Sequence, residues 1–436
     1  MGKWFGSETS ASTSFEVKAI FALTSLLLAQ TLASATENWP RFRGNNGDGS
    51  ADCQIPSEWK NQHYRWSLPL AGNGHGSPVV WGNRVFLNAS ADKGKTRTIL
   101  CVDARSGAIK WTRSYDSQTH KTHRYNSFAS STPALDDKRV YSVWGHASEL
   151  RASAHDHHGT LLWEKDLGGV TGGHGFGVSP IVHQDLLIVP NDQEKGGGSH
   201  YALDCATGEI RWQVPRASKR LTYSTPCVFP SPKGGHELIF TNWWLGFTSL
   251  SPQTGKRLWE LSVFGRPHSE RAISSPIVAG DLVLGVCGFT TLDKHLVAIR
   301  PSSASQDGQA REIWRMEETM PHIPTPLLSG NRLYLWADGG VITCLRPQTG
   351  EKVWKARVQG VQDTFFGSPV RAGNKIICVS AYGQVVIIED GEAFKQLGVT
   401  NLKSVCRSTP ALANGDLYLR TSDTLLCVRG DQTSAR

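Results

Sequence analysis

The chain is poor in several things that would have directed its reading elsewhere. Of 436 residues only 3 are Met, and Asp, Glu, Lys and Arg together make up 19%. A charge content that low excludes a coiled coil or long helical array. No stretch of 18 consecutive apolar residues follows the first thirty, so no later membrane-spanning helix is expected. The net charge is +8, yet no run of five basic residues occurs, and nucleic acid is not expected as a partner. The nine cysteines include no adjacent pair and no C-x-x-C. A G-x-S-x-G elbow is missing. Gly172–Gly177 and Gly196–Gly198 lack the Lys and following helix of a phosphate cradle.

What is present points to short strands. Gly (44), Pro (21) and Trp (15) are abundant, and 39% hydrophobic residues exclude disorder. Cys101, Cys344 and Cys427 each sit in an apolar strand pattern, as buried small residues would. At the N-terminus Lys18 precedes the apolar run Ala19–Ala29, and Ala33-Ser34-Ala35 fits a cleavage site. Residues 1–35 are therefore expected to be an export signal, delivering the chain to the periplasm or the extracellular space. The segment before the apolar run is unusually long for such a signal and carries Glu8 and Glu16.

A small residue, a proline and an apolar strand recur eight times. Examples are GSPVVWGNRVFLN at Pro78, SSPIVAGDLVLGV at Pro276 and STPALANGDLYLR at Pro410; the others centre on Pro133, Pro180, Pro226, Pro326 and Pro369. Each reads as a hairpin whose Gly-Asn, Gly-Asp or Asp-Asp turn supplies positive φ. Proline is tolerated because it starts the strand. A second hairpin alternates with the first and ends in tryptophan: Ala202-Leu203-Asp204-Cys205-Ala206-Thr207-Gly208-Glu209-Ile210-Arg211-Trp212 is the clearest copy. Others end at Trp111, Trp163, Trp259, Trp314 and Trp354, and a degenerate one at Phe394. Four strands per 41 to 55 residues is the period of a propeller blade. The eighth unit ends near Gly430 without a Trp strand, while a spare one, Tyr64-Arg65-Trp66-Ser67-Leu68, stands at the front. The expected fold is all-β: an eight-bladed β-propeller of four-stranded antiparallel blades, ring-closed by the N-terminal strand. Its boundaries are 63–430, after a cap segment at 36–62 and before a tail at 431–436.

The unit A-x-D-x-x-T-G-x-x-x-W resembles the PQQ-repeat, or quinoprotein-like, family, and matches fully at Ala202–Trp212. Ser251, Arg346 and Arg429 depart from it where the family has Asp. The resemblance spans about Trp39 to Arg429. It implies that Trp66, Trp111, Trp163, Trp212, Trp259, Trp314 and Trp354 dock between neighbouring blades. The opening Trp39–Gly49 also looks like the start of secreted members, and is expected to cap the blades.

Meander topology brings the loops before each first strand and after each second strand to one face, around the channel mouth. The candidate ligand-binding residues there are His75, Arg124, Asn126, Trp144, His174, Arg220, Trp243, Arg271, His322, Trp336 and Arg407. Tyr223, Asp363, Phe366, Asn191, Trp244 and Tyr382 are placed on the same funnel. Converging Arg and His favour an anionic group, and Trp or Tyr faces can stack a planar ring or a sugar. The turn His155-Asp156-His157-His158 lies on the opposite face, and no metal site is expected.

Three functions stand open. The first is an exported, monomeric, non-catalytic binding or scaffold module, holding a partner protein or an anionic or saccharide ligand, with a membrane surface as a further partner. It resembles the propeller subunit of the outer-membrane β-barrel assembly machine in fold only, since no Cys for a lipid anchor stands just after the apolar run. The second is a pyrroloquinoline quinone (PQQ) and calcium-dependent oxidoreductase. For catalytic members the resemblance implies an adjacent Cys pair, Ca²⁺ ligands and an Asp base, and neither the pair nor the ligands can be mapped onto this chain. No cofactor is therefore expected. The third is a carbohydrate-active propeller enzyme, for which Asp363 and Glu270 are the visible carboxylates.

Overall fold

The computed structural model describes Met1 and residues 38–194, 196–264, 271–288 and 294–430. The expected leader and tail, together with Glu270, lie outside the described residues. The chain divides into residues 1–36 and 37–436, and the second unit carries every sheet.

Eight small sheets form a propeller. The innermost strands are Val79–Trp81, Ala134–Leu135, Ile181–His183, Cys227–Pro230, Ile277–Ala279, Leu327–Ser329, Val370–Ala372 and Ala411–Ala413. They open blades 1 to 8, and each begins directly after a repeat proline. The outer strands of blades 1 to 7 are Ile109–Asp116, Leu161–Asp166, Ile210–Arg216, Arg257–Leu261, Arg311–Met316, Lys352–Arg357 and Gln396–Asn401. Blade 8 takes its outer strand from the front of the chain: Tyr64–Pro69 runs antiparallel to Thr424–Val428, with Trp66 opposite Cys427. Arg65 clasps Asp416 through two hydrogen bonds of 2.9 and 3.1 Å. This is the expected ring closure, and it covers the edge that Thr424–Val428 would otherwise present.

Blades are joined at their outer rims by tryptophan. The Nε1–H of Trp66 donates to the Ala104 carbonyl, Trp111 to His157, Trp163 to Cys205, Trp212 to Pro252, Trp314 to Pro347 and Trp354 to Gly391, each in the following blade. The turn glycine makes room. Gly208 has φ +74, and a Cβ there would lie 2.6 Å from the Trp163 ring. Trp259 departs from the pattern. The turn of blade 5, into which it would dock, is stretched by residues 301–310, and Trp259 donates instead to Glu237 of its own blade, at 2.6 Å. The His155–His158 turn is another docking turn: Asp156 accepts the backbone N–H groups of His158 and Thr160. Among the described residues no three His, Cys, Asp or Glu side chains are arranged to hold a metal ion. All nine cysteines are buried, and burial pushes the Cys101 and Cys344 thiols up to about 12.

The cap segment occupies the bore. Trp39 exchanges two backbone hydrogen bonds with Val80 of blade 1, and Pro40 accepts from Leu135 of blade 2. Arg41 donates to the Pro226 carbonyl and Asn46 pairs with Val228, both in blade 4. Arg43 donates to the carbonyls of Thr325 and Pro326 in blade 6. Ser50–Ala51 then adds a parallel fifth strand to blade 7 beside Arg371 and Ala372. Residues 39–51 thus cross from one side of the ring to the other and close the channel at the level of the innermost strands. Arg41 and Arg43 are buried, and desolvation lowers both guanidiniums to about 10, so they remain charged at neutral pH.

Candidate functional site

Directly before each of the eight repeat prolines stands a hydroxyl: Ser77, Thr132, Ser179, Thr225, Ser275, Thr325, Ser368 and Thr409. A residue preceding proline is held extended, and in all of them but Ser179 the backbone N–H reaches the hydroxyl of the next blade. Ser77 donates to Thr132 Oγ1, Thr132 to Ser179 Oγ and Thr225 to Ser275 Oγ. Ser275 donates to Thr325 Oγ1, Thr325 to Ser368 Oγ, Ser368 to Thr409 Oγ1 and Thr409 to Ser77 Oγ. These bonds of 2.9–3.1 Å stitch the blades into a collar around the channel axis.

Above the collar lies a cavity of about 320 Å³. Phe42, from the segment that crosses the bore, contributes to its wall, as do seven of the collar residues, Ser275 being the exception. Of the expected site residues, His75, Asn126, His174, Arg271, His322 and Arg407 line it. Among the described residues the wall holds no Asp, Glu or Cys.

Two guanidiniums reach the cavity in different states. Arg271 is paired with Glu194 at 2.8 Å and lies 3.3 Å from His174 Nδ1. Burial acts to raise the Glu194 carboxyl, but Arg271 and Arg220 outweigh it and hold it below the ordinary carboxylate value. Arg407 has no carboxylate partner among the described residues. It donates to the Arg124 carbonyl at 2.9 Å, and its guanidinium lies 5.2 Å from the Tyr125 ring centre and 5.4 Å from that of Phe366. Its Nε has no hydrogen-bond partner among the described residues.

Four imidazoles complete the wall: His75, His123, His174 and His322. Burial, with Arg407 and Arg420 nearby, lowers His75 to about 3. Burial lowers His322 to about 4 although Asp338 opposes it, with Lys294 and Arg271 adding to the effect. His123 and His174 stack at 4.9 Å, and burial and neighbouring arginines lower both. Burial thus disfavours the charged imidazolium in all four. The Nδ1 atoms of His75 and His322 lack hydrogen-bond partners among the described residues, and His322 is only 8% exposed.

The remaining expected residues fall elsewhere. Trp144, Trp243 and Trp336 are buried between sheets and do not line the funnel; Trp336 packs against Phe365 and Trp144 against Tyr115. Trp144 and Trp336 lie in second strands buried on both faces, because each blade packs against a neighbour on either side. Arg124 lies outside the lining, stacked on Tyr125, and Arg220 stands behind Glu194 at 3.6 Å. Asn126 is used structurally, donating to the carbonyls of His174 and Phe176. Asp363 accepts the N–H groups of Thr364 and Tyr382. The aromatic walls come from Tyr125, Phe366, Tyr223 and Phe42 instead of tryptophan. His123, Tyr125 and the collar hydroxyls are members that sequence reasoning passed over; a hydroxyl before every repeat proline was the signal for the collar.

The PQQ-repeat family described as "Outer membrane protein assembly factor BamB" matches residues 59–141, 95–306 and 302–434. No curated protein matches the chain. Among solved structures, BamB from Moraxella catarrhalis is 14% identical with a TM-score of 0.57, over 85% of this chain and 98% of that one. A europium-containing methanol dehydrogenase is 14% identical with a TM-score of 0.60, over 90% of each chain. Quinohemoprotein alcohol dehydrogenase from Comamonas testosteroni is 14% identical with a TM-score of 0.63, over 92% of this chain and 81% of that one. At such identity these likenesses show a shared fold and leave the activity to the site itself. The family match covers most of the sequence, and the chain belongs to the PQQ-repeat propeller family described as outer membrane protein assembly factor BamB.

Proposed function

We propose that the chain is an exported binding module that holds a planar anionic ligand in the cavity above the collar, without catalysing a reaction on it. One observation carries the reading: the wall combines Arg271 and Arg407 with four imidazoles and aromatic faces, and includes no carboxylate among the described residues. A guanidinium stacked on aromatic rings, with an unused N–H, is arranged to meet an anion. The lack of a carboxylate leaves an anion unopposed at the wall. Export rests on Lys18, the Ala19–Ala29 run and Ala33-Ser34-Ala35.

The dehydrogenase alternative asks for calcium under a quinone. Ca²⁺ takes six to eight oxygen ligands, carboxylates foremost. The cavity offers one side-chain amide, Asn126, already committed to backbone groups, and hydroxyls. Glu194 and Asp338, the carboxylates that contact the lining residues Arg271 and His322, are engaged by Arg271 and Lys294. The donor set does not fit the ion.

A thermal-shift panel tests the reading. Planar aromatic carboxylates should raise Tm, their neutral amides should not, and added Ca²⁺ should leave the response unchanged. Stabilisation by PQQ only with Ca²⁺, accompanied by dye-linked alcohol oxidation, would instead establish the dehydrogenase.

A further inference from the structure

The hydroxyls of the collar have a consequence beyond joining blades. In seven of them the oxygen accepts a backbone N–H from the preceding blade: Thr132, Ser179, Ser275, Thr325, Ser368, Thr409 and Ser77. A hydroxyl so used still has a proton to donate. Six of these seven line the cavity, and none of the six donates within the protein among the described residues. Because the oxygen is fixed by a neighbour's N–H, the remaining O–H swings over a limited arc around the bore. The collar is thus a ring of hydrogen-bond donors held at one level of the channel axis.

Two further features mark that level as a seat. The buried His322 lines the cavity with its Nδ1 unpartnered among the described residues. The segment carrying Phe42 closes the bore, so a ligand arriving from the mouth stops above it.

We propose that the collar is an oxyanion seat: a ligand enters with a carboxylate or phosphate group pointing down the axis, receives O–H donors from Thr132, Thr409 and their neighbours, and leaves its planar body along the continuous wall of Arg407, Phe366, Tyr125, His123 and His174, in which His123 meets Tyr125 edge-on at 5.1 Å. This rests on the anion-binding reading above and adds the ligand's polarity and the depth of its charged end. A neutral seat of converging donors holds a singly or doubly charged oxyanion without a counter-charge, because a hydrogen bond to a charged group is stronger than one between neutral partners.

The test uses benzene-1,3,5-tricarboxylate and phenyl phosphate with the mature protein, by calorimetry. T132V and T409V keep side-chain shape and lose the hydroxyl; T132S and T409S keep it. Each valine variant should bind at least roughly tenfold more weakly, and each serine variant should stay within about threefold of wild type. Preference for one probe over the other distinguishes a carboxylate seat from a phosphate seat. A structural role alone would lower Tm in the valine variants and leave the affinity of the folded fraction unchanged, which overturns the seat. A crystal structure of the wild type with the tricarboxylate needs no variant: a carboxylate within hydrogen-bond distance of the collar supports the seat, and one held only at the Arg271 and Arg407 rim overturns it. If neither probe binds the wild type, the anion-binding reading falls and the seat with it.

Discussion

Trp163 and Gly208 meet across the boundary of blades 2 and 3 so closely that a Cβ on the glycine would stand 2.6 Å from the indole ring. The same indole donates Nε1–H to the Cys205 carbonyl at 3.0 Å. Gly208 also has φ +74, a conformation in which a side chain is strained. G208A combines clash with strain and should cost about 2–4 kcal/mol, read as a lowered urea midpoint. An unchanged midpoint would mean that the docking contact is not tight.

The seven outer-strand tryptophans are not equivalent. W163F removes a donor from a backbone carbonyl and should cost about 1 kcal/mol. W259F takes the donor from Glu237, a buried carboxylate left with Ser249 Oγ at 2.6 Å as its other partner. That change should cost about 2–3 kcal/mol. Equal Tm losses in the two variants would contradict the distinction.

Arg43 is 1% exposed and holds carbonyls of blade 6 and of Gly47 from within the bore. R43M keeps the stem and leaves those carbonyls without a donor. A loss of about 2–4 kcal/mol is expected. Hydrogen exchange should rise first at residues 39–51, and uniform exchange throughout would show that the segment does not act as a separate tie.

Histidine gives the pH dependence. His75 and His200 are lowered to about 3, and His155 and His322 to about 4, in each case first by burial. The unfolded chain takes up these protons near pH 6.5 and the folded chain does not. Between about pH 6.5 and pH 4 the unfolded state therefore binds more protons, and stability falls as the pH falls. Urea midpoints measured at intervals from neutral pH down through that window should decline progressively, and H75N should flatten the decline. A constant midpoint across the window would contradict the burial of these rings.

Much of the fold was legible because its determinants are local and repeated. Pro78 and its seven counterparts begin strands, Gly208 and its counterparts turn, and Tyr64–Leu68 was the one outer strand without a blade. The site was legible only in part. His75, Arg271, His322 and Arg407 follow from loop order alone, since a meander returns those loops to one mouth. Nearness to a strand end does not expose Trp144 and Trp336, because every residue after the first in those second strands is buried, both faces of a blade being covered by its neighbours. The His123–His174 stack joins two loops by their detailed path, which no local pattern encodes. The collar was present in the letters before each proline, yet a hydroxyl there acquires meaning only when the ring closes and brings its neighbour's N–H to it.

The central claim is that Arg407 and Arg271 hold an anion above the collar. Calorimetric titration of benzene-1,3,5-tricarboxylate into wild type, R407Q and R271Q tests it most directly. The expected result is saturable one-to-one binding to the wild type, at least roughly tenfold weaker in R407Q, with a smaller loss in R271Q because that guanidinium already directs its charge to Glu194. Equal affinity in all three proteins would contradict the account.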